Sequence, residues 1–285
     1  MSFDEQLQHL VTEALREDVG DGDHSTLSSI PADAKGKAVL KIKEAGVLAG
    51  VVVAEKIFRI KEPDVVFTPF MSDGDAMKPG DKAFEVTASV HTILQCERLV
   101  LNCMQRMSGI ATLTRQYTSL LEGYHTRLLD TRKTTPNFRL LEKEAVRIGG
   151  GVNHRFGLYD MIMLKDNHID YAGGLEKAIN GAWEYVQEKK PGLKIEVETR
   201  SLDEVRQVMT IGKNKVFRVM LDNFQPAQVA EAVKLINGAF ETEASGGINL
   251  STIQEYAATG VDYVSVGALI HQARSLDLSL KAVTE

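Results

Sequence analysis

The chain has 285 residues, 44% of them hydrophobic and 25% charged, so it can bury a large core in one α/β domain or two domains. Its formal net charge of -6 excludes a broad nucleic-acid-binding surface, which needs a basic footprint. Its longest apolar run, residues 45–54, is well short of the ~20 residues of a membrane-spanning helix, so no membrane association is expected.

In chain order, MSFDEQLQHLVTEALRED predicts an acidic amphipathic helix rather than a basic, apolar leader. EDVGDGDHST (17–26) has the look of a calcium loop, but the twelfth position from Asp21 is Ala32 rather than glutamate, so a structural turn is expected. AVLKIKEAGVLAG reads as strand, VVVAEKIFRI as a short helix, and DGDAMKPGDKAFEVTAS as a hairpin built on Asp-Gly and Pro-Gly turns. Lys78, in AMK, is then a turn lysine rather than a biotin site. TILQCERLVLNCMQRMSG (92–109) predicts a long helix whose Met, Leu and Cys stripe is core or subunit interface. Cys96 and Cys103 share a face of it but lie too far apart to bridge, so buried thiols in a reducing, cytoplasmic setting are expected.

Beyond this point apolar runs recur at 127–130, 161–164, 194–198, 217–221, 240–244 and 262–266, and helical patterns separate the later ones. Alternating strands and helices at this spacing predict a parallel α/β arrangement, and six units in sequence favour a barrel. The polar residues fall where barrel enzymes keep their sites, at the C-terminal ends of strands. Thr131, Arg132 and Lys133 follow the first run and Lys165 the second. Glu198 and Asp222 end the third and fourth; Ser245, Gly246 and Gly247, then Val266, Gly267 and Ala268, end the last two. Small residues there let backbone N–H groups approach a phosphate.

Between Arg98 and Lys165 there are eleven Lys/Arg and five acids, a local +6 in an acidic chain, which predicts a pocket for a small anion. Arg132 and Arg155 offer planar forks for carboxylate or phosphate, and Lys133 and Lys165 offer point charges. GGGVNHRFG (149–157) suggests backbone held close to a ligand, with His154 beside Arg155 as a donor. Glu198 and Asp222 are either salt-bridge partners of these cations or holders of Mg²⁺ and sugar hydroxyls. P-loop, dinucleotide, zincin and hydrolase-elbow signatures are absent.

The ordered set EDVGDGDHST, ERLVLNCMQRMSGIAT, LLDTRKTTPNFR, GGGVNHRFGLYDMIMLKDNHI, EVE, MLDN, SGGI and SVGAL resembles the quinolinate phosphoribosyltransferases over nearly the whole chain. The resemblance implies an incomplete (β/α) TIM-like barrel over 109–271. It also implies a smaller N-terminal α/β open-sandwich domain over 1–108, packed by the tail 272–285. It implies transfer of phosphoribosyl from phosphoribosyl pyrophosphate (PRPP) to quinolinate with Mg²⁺, releasing pyrophosphate and CO₂ and giving nicotinate mononucleotide for NAD synthesis. It further implies a homodimer with shared active sites, in which Arg106 reaches the neighbouring site and binds quinolinate with Arg132, His154 and Arg155. Lys133 and Lys165 would bind quinolinate and pyrophosphate, Glu198 and Asp222 the ribose hydroxyls and the metal. Thr131 would line the substrate site, and Ser245 to Gly247 and Val266 to Ala268 would hold the 5′-phosphate. Alternatives are a nicotinate-specific or molybdenum-transport-linked relative, or a non-catalytic anion-binding protein on the same fold.

Overall fold

A computed structural model describes residues 2–283. The first stretch runs α1 (Phe3–Val19), α2 (His24–Ser29), β1 (Lys35–Ile42), β2 (Gly46–Val47), α3 (Val51–Lys61), β3 (Val66–Pro69), β4 (Ala76–Met77) and β5 (Lys82–Ser89). Then come α4 (Val90–Leu120), β6 (Arg127–Leu129), α5 (Arg139–Ile148), β7 (Ile162–Leu164), α6 (Asp166–Ala172) and α7 (Leu175–Lys189). Strand and helix alternate through β8 (Ile195–Thr199), α8 (Leu202–Ile211), β9 (Arg218–Asp222), α9 (Pro226–Ile236) and β10 (Glu241–Ser245). The chain finishes with α10 (Ile253–Ala257), β11 (Tyr263–Ser265), α11 (Ala268–His271) and β12 (Leu278–Ala282).

The described residues form two compact units, one from Met1–Arg115, Thr134–Gly150 and Leu269–Glu285, the other from Gln116–Lys133 and Gly151–Ala268. α5 and its flanks belong with the first unit. The physical reason is a buried ion pair: Glu142 of α5 is fully buried and accepts from Nε and Nη2 of Arg106, 3.0 and 2.9 Å away. Gly149 seals the same contact, since a Cβ there would meet the Ala111 carbonyl at 2.6 Å.

In the first unit a four-stranded antiparallel sheet runs β12-β1-β5-β3. Phe58 of α3 and Phe84 of β5 are fully buried and meet edge to face at 6.3 Å. Each such side chain contributes about 1.5–3 kcal/mol of burial free energy. The tail strand β12 pairs with β1, Leu280 opposite Leu40. The hairpin expected over 73–89 does not form: β4 pairs with β2, while β5 pairs with β1 and β3. The Pro-Gly turn thus separates strands of two different sheets. In the Asp/Gly-rich stretch, Asp23 caps α2 by accepting the Thr26 N–H at 3.1 Å, so the turn is structural. Cys96 and Cys103 are buried, unbridged thiols, each pushed up to about 12 by burial. No helix among the described residues is long and apolar enough to cross a membrane.

The second unit is a six-stranded parallel sheet in the order β6-β11-β10-β9-β8-β7. Among the described residues β6 and β7 do not pair, so the barrel is open there; Leu129 of β6 bridges Val152 instead. β8 is buried at all five positions, as expected of a parallel strand covered on both faces.

Candidate active site

The sheet order fixes how the strand-end residues line up on the rim of the second unit. Reading across from β6, the rim presents Thr131, Arg132 and Lys133, then Val266 and Gly267 after β11, then Ser245 to Gly247 at β10. Asp222 ends β9, Glu198 sits one residue from the end of β8, and Lys165 follows β7. Cations therefore occupy both edges of the open barrel, carboxylates the strands beside one edge, and small-residue turns the middle.

Local bonds set each group. Lys165 Nζ donates to Glu198 Oε2 at 2.9 Å. Asn223 adopts φ 59°, a left-handed turn that Asn tolerates, and its Nδ2 donates to Asp222 Oδ2 at 2.6 Å. Gly246, with φ +99°, passes so close that a Cβ would stand 2.2 Å from Asn223 Oδ1. Only glycine fits that turn. The Ser-Gly-Gly turn does not open directly onto a helix; an Asn249-centred turn intervenes before α10 begins at Ile253. Gly267 does run straight into α11, while the Val266 N–H is taken by the Leu129 carbonyl at 3.0 Å.

Arg132 and Arg155 are close enough for their charges to act on one another. Burial and the charge of Arg132 both lower the affinity of the Arg155 guanidinium for its proton. Arg155 Nη1 donates to the Met161 carbonyl at 3.2 Å, and Arg132 Nε is buried with no hydrogen-bond partner among the described residues. A buried, unpaired guanidinium donor beside a second guanidinium is costly unless an anion joins them.

Beneath this rim lies a cluster that the sequence pattern did not single out. His154 Nε2 sits 3.0 Å from Glu196 Oε2 and 3.2 Å from Glu243 Oε2, and both carboxylates are fully buried. Arg218 Nη1 stands 3.2 Å from Glu243 Oε2 and 3.8 Å from Glu196 Oε2, its guanidinium stacked 4.3 Å over the Tyr263 ring. The signal was present in the sequence: in KIEVE and FETEA the acids alternate, so Glu196 shares the inward face of Glu198, two residues along the same strand. A barrel interior is ordinarily filled by Val, Ile and Leu, which made these acids easy to pass over.

Burial disfavours a charged His154 and the carboxylates of Glu196 and Glu243 favour it, but the Nδ1 lone pair that accepts the Arg155 N–H exists only on the neutral ring. Burial and the neighbouring Glu243 raise Glu196 to about 7, whereas His154 and Arg218 hold Glu243 below the usual carboxylate range despite its burial.

These strand-end motifs coincide with a known family. Residues 110–281 match the family described as quinolinate phosphoribosyl transferase, C-terminal domain, and residues 23–108 match its N-terminal domain. The chain belongs to the quinolinate phosphoribosyltransferase family. It is 44% identical to quinolinate phosphoribosyltransferase [decarboxylating] 1b of Nicotiana tabacum, over 98% of this chain and 83% of that one. A probable nicotinate-nucleotide pyrophosphorylase [carboxylating] of Synechocystis is 41% identical over 94% of this chain and 90% of its own. The crystal structure of NadC from Streptococcus pyogenes superposes with a TM-score of 0.89 at 42% identity, covering 98% of both chains. Human nicotinic acid phosphoribosyltransferase, 12% identical with a TM-score of 0.63, shares the fold.

Within this quinolinate phosphoribosyltransferase chain, two of the expected ligand residues have other partners. Arg106 gives Nε and Nη2 to Glu142, Nη1 to the Ala273 carbonyl and Nη2 also to the Ile270 carbonyl, so four of its five N–H donors are taken inside the first unit. The same Glu142 carboxylate accepts the Thr135 N–H and hydroxyl at 2.8 and 2.9 Å. Arg106, within α4, is thus tied to Glu142 of α5 and to the Ile270 and Ala273 carbonyls. His154 is buried, with Nε2 facing the two glutamates and Nδ1 accepting the Arg155 N–H at 2.6 Å. Its ring faces the barrel interior rather than offering a donor at the rim.

Proposed function

We propose that this pentosyltransferase joins quinolinate to the ribose of PRPP with loss of pyrophosphate and CO₂, and that the rim of the second unit is its active site. The observation that carries the reading is the Arg132–Arg155 pair, whose buried, unpartnered Nε and mutual repulsion suit a ligand with two carboxylates. The family assignment supports the same activity.

Quinolinate is assigned to Arg132 and Arg155, with His154 supporting the second. Lys133 and Lys165 face the pyrophosphate as negative charge collects on it, while Glu198 and Asp222 bind ribose hydroxyls and face the cationic sugar carbon. Ser245 to Gly247 and Val266 to Ala268 line the 5′-phosphate seat, and Thr131 braces Lys133 by accepting its N–H at 3.0 Å. Catalysis is then positional and electrostatic, with no protein nucleophile. Loss of CO₂ follows bond formation, because the cationic ring nitrogen stabilises the carbanion once its carboxylate is desolvated.

Glu198 and Asp222 suit Mg²⁺: both are hard oxygen donors on adjacent strands, and two protein ligands leave the remaining positions to PRPP and water. When bound, Mg²⁺ supplies charge neutralisation to the pyrophosphate. We further assign the chain to a homodimer and to a cytoplasmic setting, the latter supported by its two unbridged thiols. The names of several plant relatives specify chloroplast or mitochondrion, so compartment is read from the thiols rather than from kinship.

Incubation with PRPP, Mg²⁺ and either quinolinate or nicotinate tests the reading by following CO₂ and nucleotide. Quinolinate-dependent release of both is expected. Turnover of nicotinate without CO₂ favours the nicotinate-specific relative, and no turnover of either would leave only an anion-binding protein.

A further inference from the structure

The barrel interior below the rim holds charged groups that the proposed chemistry does not touch. Glu196 on β8 and Glu243 on β10 flank β9, whose Arg218 lies opposite Glu196 and Glu241 in the strand registers. Sealing two carboxylates and a guanidinium inside a barrel costs desolvation, and well-packed apolar residues in such places are often neutral or stabilising. A group kept at that cost calls for a task, and the geometry indicates one.

The loop carrying Arg155 is fixed at a few definite points. The His154 N–H donates to Asp130 Oδ1 at 2.7 Å, and Asp130 is itself fully buried at the end of β6. The Arg155 N–H donates to His154 Nδ1 at 2.6 Å. That bond requires a lone pair on Nδ1, which puts the ring proton on Nε2, the nitrogen that lies 3.0 and 3.2 Å from the carboxylates of Glu196 and Glu243. The two carboxylates therefore decide both the tautomer and the tilt of the imidazole. The imidazole in turn holds the Arg155 backbone, two bonds from the side chain that faces Arg132.

We propose that Glu196 and Glu243, backed by Arg218, are positioning residues that lock His154 in one tautomer and thereby set the Arg155 guanidinium for a substrate carboxylate. The inference rests on the quinolinate reading above. A buried His-Glu-Glu trio within 4.8 Å is also an arrangement that divalent cations use. Here the Arg218 guanidinium already supplies the positive charge between the carboxylates, which favours the positioning role.

The test compares wild type with Glu196→Gln and Glu243→Gln. The quinolinate KM is expected to rise about 10-fold, the loss typical when a supporting hydrogen-bond partner is removed. The PRPP KM and kcat at saturating quinolinate are expected to stay near wild type. Nitrogen-15 spectra of the His154 ring, assigned against His154→Asn, should show the single Nε2–H tautomer in wild type and a mixture in the variants. Equal losses for both substrates, an unchanged quinolinate KM, or an unchanged ring tautomer would each overturn the inference. So would a stoichiometric divalent ion on wild type that the double variant lacks. Should the glutamine variants not fold, Glu243→Asp keeps the charge, withdraws the oxygens by one methylene and answers the same questions. If wild type fails to turn over quinolinate, the functional reading falls by itself, and the ring tautomer then decides the positioning role independently.

Discussion

Lys165→Ala lowers kcat by roughly 10²–10³-fold, the loss expected when one preorganised charge facing a developing anion is removed. Two effects combine. The pyrophosphate loses a cation that Lys165 holds ready at the end of β7, and Glu198, almost fully buried, loses the ammonium 2.9 Å from its Oε2. An unpaired carboxylate in that position repels the phosphates that must lie beside it. The Lys165 side chain is 46% exposed, so the ion pair adds little to stability and the melting temperature should move little. Glu198→Gln in the Lys165→Ala background tests the second effect: restoring part of the lost kcat identifies repulsion by Glu198. A kcat within threefold of wild type for Lys165→Ala would remove Lys165 from the leaving-group site.

Arg132→Ala separates binding from folding. Hydrogen bonds to charged groups contribute about 1.5–3 kcal/mol each, so losing one fork should raise the quinolinate KM by roughly 10–100-fold. The PRPP KM should stay within about twofold, because the phosphate seats lie at other strand ends. The ligand-free protein should be no less stable than wild type, and measurably more so at low salt. Its Arg155 no longer faces a second guanidinium, and a buried, unpartnered Nε is gone. Arg132→Lys should not restore quinolinate affinity, since an ammonium lacks the planar fork. Calorimetric melting beside initial-rate kinetics makes the comparison. A loss of stability with an unchanged quinolinate KM would turn Arg132 into a structural residue.

Much of this architecture could be read from the chain, for reasons visible in particular residues. β8, β9 and β10 are short apolar runs between helices with clear starts, such as Pro226 at the first turn of α9. Their strand ends carry Glu198, Asp222 and the Ser-Gly-Gly turn, so the rim chemistry followed once the strands were placed. What escaped was long-range. Arg106 and Glu142 are 36 residues apart, and nothing in either segment announces the other; their pairing moves α5 into the first unit. The Pro-Gly turn near 79 fits a hairpin equally well, until β2 competes for β4. Glu196 and Glu243 were visible as alternating acids, but their meaning depends on His154 arriving from a loop two strands away.

The pairing of β12 with β1 also bears on how the chain is made. The first unit draws on the beginning, the middle and the far end of the sequence, whereas nearly all of the second comes from residues 151–268. During synthesis the parallel sheet can therefore assemble while β1 still has an open edge. That edge, with Ala38, Leu40 and Ile42 in its buried register, waits until residues 278–282 have emerged. Contacts closed across some 240 residues of sequence form late and leave strand edges exposed in the interim. The period of greatest exposure to misassembly thus falls between the synthesis of β1 and the arrival of β12.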